Sequence, residues 1–276
     1  MCFLLVGFDI LNSLVQLFEK TIQKRMSYDI MLVKIPIAVS TGSILPCMTK
    51  EVSTMAFEAK VPGVDAPKIL DAIQKEVYAA VKPYGYRKHG RTLHRFVDTD
   101  ISQVINFQLG QAYSGNTHIL AVNTGIRVPE CALRSFDAEE KPKKYYLEYE
   151  CNIRSRLGTV ENQKEVWYDL RNSTDTITAD ILRQLRDIVL PVFDVLSSRA
   201  AILEKRRAYP QFDTISNHLI LLEEAMIHGR RGDFVRASEL FNQYYQHSLA
   251  NPCTKRPQLE YIRDLAKRLG ITLYEP

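Results

Sequence analysis

The chain contains no phosphate-binding loop of the form GxxxxGK[ST], no dinucleotide fingerprint, no HExxH metal helix and no nucleophile elbow. These absences remove common nucleotide-, dinucleotide- and zinc-dependent enzymes and the α/β-hydrolases without reaching rarer chemistries. Cysteine is sparse and scattered, at positions 2, 47, 131, 151 and 253, with no CxxC pair and no histidine at ligand spacing. Neither a structural zinc site nor a secreted disulfide framework is expected on that pattern; reduced thiols in a cytoplasm are. An excess of one charge is lacking too. Thirty-six Lys and Arg oppose 32 Asp and Glu, a formal net charge of +4, so no strong electrostatic footprint for nucleic acid or an anionic membrane is present.

An uninterrupted hydrophobic run long enough for a bilayer is also missing. Residues 1–18 are apolar, but Asp9 interrupts them, Lys20 follows, and they fall short of the roughly 20 residues a transmembrane helix needs. No basic residue precedes them as a signal peptide requires. Phe3, Phe8, Leu11, Val15 and Phe18 share one side of a helix, an amphipathic element for which peripheral membrane contact is the lesser expectation. Organised patterning begins only after Met55. Residues 1–54 are therefore expected to be a poorly defined N-terminal extension, part of it upstream of the natural start. An α+β domain is expected over 55–210 and a helical C-terminal subdomain over 211–276.

What the chain does have is a change of period. Asp65 and Pro67 open a helix with Leu70, Ile73, Val77 and Val81 at helical spacing, ended by Pro83 and Gly85. Two-residue alternation follows at 86–89, 92–97, 101–109, 117–127 and 145–156, joined by turn-like links such as Asp98-Thr99-Asp100. A charged excursion fills 129–144. A long helix begins at Thr178, with a bend or break expected at Pro191. Helices over 218–228, from Asp233 onward and over 257–269 complete the tail, the first two as a hairpin. The fold class is α+β: a mostly antiparallel sheet with flanking helices and a C-terminal helical hairpin.

The strands carry the candidate site. Asn106 and Gln108 share one face of theirs, Asn123 joins them if the registers agree, and the last strand brings Arg154 and Arg156 to its polar side. Neutral amides beside rigid guanidinium forks suit carboxylates, phosphates or exposed peptide groups, with Trp167 and Tyr168 as an aromatic wall. The plain alternative is a solvated sheet face, or one whose polar groups satisfy a covering helix. No set of residues defines a catalyst, and the expectation leans away from an enzyme: Cys131 or Cys151 meeting His118 is a weak pairing. Glu148 and Glu150 are better explained by pairing with nearby arginines than by a metal, and no cofactor is expected. The short basic groups at 205–207 and 230–231 read as solvated helix ends.

The order Tyr84-Gly85-Tyr86-Arg87-Lys88-His89-Gly90, Leu93-His94-Arg95-Phe96, Val104-Ile105-Asn106-Phe107-Gln108, Asn123-Thr124-Gly125-Ile126, Cys151 to Gly158 and Trp167-Tyr168 resembles a bacterial domain-of-unknown-function family, numbered 4304, over residues 66–195. Tyr168 departs from the two tryptophans that members of that family often carry. The resemblance implies an intact domain and brings no activity or catalytic residues with it. The leading expectation is a cytoplasmic, non-enzymatic protein-binding module, of which an immunity-like role is one concrete form. The competing one is a small-ligand protein or enzyme using the amide and arginine face.

Overall fold

The computed structural model describes residues 64–110, 118–137, 143–162, 164–212 and 217–275. The extension expected at 1–54 and its amphipathic element lie outside the described residues. Helix α1, Ala66–Val81, begins where the Asp65 carboxylate accepts a hydrogen bond from the Lys68 amide at 3.2 Å and Pro67 fills a first-turn position that needs no N–H. Its stripe Leu70, Ile73, Val77 and Val81 is buried, and a 3-10 turn over Lys82–Tyr84 closes on Gly85 at φ 87°.

Four antiparallel strands follow: β1 (Arg87–His89), β2 (Thr92–Val97), β3 (Ile101–Leu109) and β4 (Ile119–Arg127). In the β2–β3 turn Asp98 and Thr99 sit at φ 41° and 43°, a left-handed conformation that a β-branched residue rarely adopts. Thr99→Asn, a residue that tolerates this region, is expected to stabilise the fold by about 0.5–1 kcal/mol, read as a higher urea midpoint.

After β4 comes α2 (Pro129–Leu133) and then a departure from the sequence reading. Residues 145–150 are not strand. Leu147 is extended, Glu148–Glu150 coils into a 3-10 turn, and the Glu150 carboxylate accepts the Leu147 amide at 2.8 Å. Of residues 145–156 only β5 (Ile153–Arg156) is strand, pairing with β4, and the chain then runs through α3 (Thr159–Asn162) to the two-residue strand β6 (Tyr168–Asp169). The sheet order is β1-β2-β3-β4-β5, with β6 paired to the start of β4.

The next helix starts earlier than Thr178. Ser173 accepts from the Thr176 amide and opens α4 (Thr174–Gln184). The interruption expected at Pro191 takes the form of a π-turn over Leu185–Val189, followed by α5 (Leu190–Val195), so the missing proline N–H is accommodated one turn upstream. Helix α6 (Arg199–Lys205) leads to the tail: α7 (Asn217–Arg230), α8 (Phe234–Ala250) and α9 (Arg256–Arg268). Arg231-Gly232-Asp233 is the α7–α8 corner, with Gly232 at φ 82° and Asp233 accepting from the Arg236 amide.

One face of the sheet, with Leu93, Ile105, Phe107, Val122, Ile126 and Ile153, packs into a single buried cluster with α1, α4 and α5. Each such fully buried aliphatic or aromatic side chain stabilises the fold by about 1.5–3 kcal/mol. The tail joins that cluster through Met226, Leu240 and Phe241, and the Phe136 ring occupies the space that a Cβ on Gly229 would need. Within the basic group at 205–207 only Arg206 is buried; Lys205 and Arg207 are exposed, as expected. Arg206, 2% exposed, pairs with Glu223 at 2.6 Å, and Arg207 grips Glu224 with two hydrogen bonds, because α7 presents its acids to this turn. No helix among the described residues is long and apolar enough to cross a membrane.

Candidate functional site

The register brings the sequence-predicted residues to one face. Asn106 stands opposite Asn123, Asn123 opposite Arg156, Gln108 opposite Ala121, and Arg154 opposite Gly125. Cross-strand partners share a face, so all five candidate strand residues point away from α1, α4 and α5.

The face is divided in two. Residues 143–151 cross one half as a strap: the Tyr145 ring stacks on His89 at 3.5 Å, Tyr146 lies 4.0 Å beneath the Arg127 guanidinium, and Cys151 sits against Gly125 where a Cβ would come within 2.7 Å. The polar groups there are thus covered by an irregular segment rather than by a helix.

The other half is a connected, half-exposed patch. Arg156 donates from Nε to Asn123 Oδ1 at 2.8 Å and from Nη1 to Glu165 Oε2 at 2.6 Å, and its guanidinium lies 4.5 Å over the Trp167 ring. The Trp167 indole N–H donates to the same Glu165 oxygen at 3.4 Å. Asn123 donates onward to Gln108 Oε1 at 2.8 Å, while Asn106 turns aside to the Thr92 hydroxyl at 3.0 Å. Trp167, the one tryptophan of the chain, is 40% exposed. A cation over an indole in such a setting is worth about 0.5–1 kcal/mol and more as it loses water.

The loop from β5 to β6 places Trp167. Gly158 turns it at φ 87° and donates its N–H to Gln184 Oε1 at 2.7 Å; Gln184 donates to the Tyr168 hydroxyl at 3.1 Å. The Val166 amide returns to the Leu157 carbonyl at 3.1 Å. Tyr168 does not join an aromatic wall beside Trp167. Its side chain is buried, its hydroxyl donates to Asp180 at 2.8 Å, and burial followed by that carboxylate pushes its pKa up.

Arg154 is separated from this patch although it lies two residues away on the same face. It pairs with Glu148 at 2.7 Å and lines a cleft of about 400 Å³ between the strap, α2 and α7. Glu148 thus has the arginine partner expected of it, while Glu150 pairs with a lysine instead, Lys143 at 2.6 Å. The thiols in that cleft are poor nucleophiles. Burial pushes the Cys131 and Cys151 pKa values well above the usual thiol value, and they donate to the backbone carbonyls of Glu223 and Leu147 rather than to a histidine.

Three participants were not singled out beforehand. Arg127 occupies the same alternating register as Asn123 and was legible from parity alone. Glu165 lies in a segment with no regular period, where no sequence signal marks it, and Tyr146 lies in an alternation that reads as a strand.

Under the strap, burial lowers the His94 pKa; the Lys144 backbone contact opposes this, and His89 and Arg87 reinforce it. The folded protein therefore takes up this proton less readily than the unfolded chain, whose value is near 6.5. Its contribution is complete above that pH and is lost as the pH falls through the folded value. Urea midpoints measured between neutral pH and about 5.5 should fall, and His94→Gln should flatten that part of the slope.

The site thus belongs to an α+β module whose sheet holds helices on one face and an arginine–tryptophan patch with a strap on the other. Residues 77–195, from within α1 to the end of α5, match the model of a family described as a domain of unknown function, DUF4304. This is the family that the ordered motifs resemble. No curated protein and no solved structure matches the chain.

Proposed function

We propose that the chain is a non-enzymatic binding module of a bacterial cytoplasm that recognises a protein partner through the Arg156–Trp167 patch. The single observation that carries this reading is the preorganisation of Arg156 against Asn123, Glu165 and the half-exposed Trp167. Tryptophan and arginine dominate interface energetics, and side chains already held in place lose little freedom on binding. The neighbouring amides of Gln108 and Asn106 add hydrogen-bonding groups suited to the peptide groups of a partner segment. Neutralising a toxin, as an immunity protein does, is one concrete form of this role. The unpaired thiols of Cys131, Cys151 and Cys253 suit a reducing compartment.

The test is affinity capture of the tagged full chain at native abundance, compared with the Trp167→Ala, Arg156→Gln double variant. A stoichiometric protein retained by the first and lost by the second, with both folded by circular dichroism, is expected. Equal retention, or no stoichiometric protein under conditions that keep weak complexes, would overturn the reading.

A further inference from the structure

We infer that the cleft between the strap, α2 and α7 is a second site, built for a small molecule that carries a carboxylate or phosphate on an apolar stem. Its volume of about 400 Å³ is that of a small-ligand site. Its lining residues combine Arg127, Arg134 and Arg154 with Leu133, Leu219 and Leu222. The carboxylates that also line it, Glu150 and Glu223, are each held by a cation of their own, Lys143 and Arg206, at 2.6 Å. With those partners and Glu148 included, five cations stand against three carboxylates around the cleft. The balance favours an anion, and planar guanidinium forks match the oxygen geometry of carboxylate and phosphate.

Arg134 is the most telling member. It ends α2 at φ 51°, a backbone conformation uncommon for a residue with a side chain, and its guanidinium is steadied by Tyr261, 5.4 Å above the ring and 3.3 Å from the hydroxyl. Tyr261 belongs to α9, so the C-terminal helix orients a cation that lines a cleft beside the sheet. Asn152 supplies a neutral amide on the same wall.

The site is tested by isothermal titration of the full chain, at fixed ionic strength, with phenyl phosphate, phenylacetate and the neutral stem control benzyl alcohol. At least one of the two anions should bind in the millimolar range or tighter and benzyl alcohol much more weakly. Arg134→Asn removes the cation and suits the left-handed backbone, so it keeps the fold; it should weaken binding about tenfold or more. Arg236→Gln, on an exposed pair with Glu239, should leave it unchanged. Absence of anion binding, equal binding of benzyl alcohol, or an Arg134→Asn affinity equal to that of the original chain would overturn the inference. Loss of anion binding in Trp167→Ala would also do so, by moving the anion to the patch. Protein capture through Trp167 is read separately, so either proposal can fail alone.

Discussion

Arg199→Met is expected to lower folding stability by about 3–5 kcal/mol, because it strands a buried carboxylate. The Arg199 guanidinium grips Glu130 with two hydrogen bonds of 2.8 Å, and the Glu130 side chain is 0% exposed. The same guanidinium reaches Asp100 at 2.9 Å and Asp98 at 3.7 Å. One side chain at the start of α6 thereby ties α2 to the strained β2–β3 turn. Chemical denaturation measures the loss. The double variant Glu130→Met, Arg199→Met should recover most of it, since it removes the fully buried carboxylate together with its cation. A single variant that loses less than about 1 kcal/mol would show that Glu130 finds water or another cation.

Gly158→Ala is expected to cost about 2–4 kcal/mol and to dismantle the patch at the same time. Its φ of 87° penalises any Cβ, and that Cβ would stand 2.3 Å from Val166 Cγ2 and 2.5 Å from the Lys164 carbonyl oxygen. The segment that must retreat carries Glu165 and Trp167, so the clash is transmitted to the contact with Arg156. Since Trp167 is the only tryptophan, its emission reports this directly. Increased accessibility to a neutral quencher should accompany the lowered denaturation midpoint. An unchanged quenching constant would mean that the loop holds Trp167 independently of Gly158.

Much of the sheet was legible because its pattern follows from burial. Strands β2 and β3 begin and end where the alternation does, since Leu93, Ile105 and Phe107 must face the helices while His94, Asn106 and Gln108 face away. The shared face of Asn106, Gln108, Asn123, Arg154 and Arg156 follows from the same parity. The misread segment, 145–150, alternates too, but its period has another cause. Tyr146 docks onto Arg127, and Glu148 pairs with Arg154, so the polar and aromatic alternation serves contacts made by a strap rather than a pleat. Parity also could not separate Arg154 from Arg156. That division depends on Glu148 and Glu165, acids brought in by irregular chain. Arg206 escaped the solvated reading of the basic group at 205–207 for a related reason: its acid, Glu223, lies on α7, beyond any local pattern.

The most direct test of the recognition patch is site-specific photo-crosslinking in the native host, with a benzophenone amino acid in place of Trp167 and, as a control, in place of Phe234, itself 60% exposed on α8. Irradiation should join position 167 to one protein as a discrete adduct and leave position 234 without it. No adduct from position 167, or the same adducts from both positions, would contradict the assignment of the Arg156–Trp167 patch as the surface through which this protein acts.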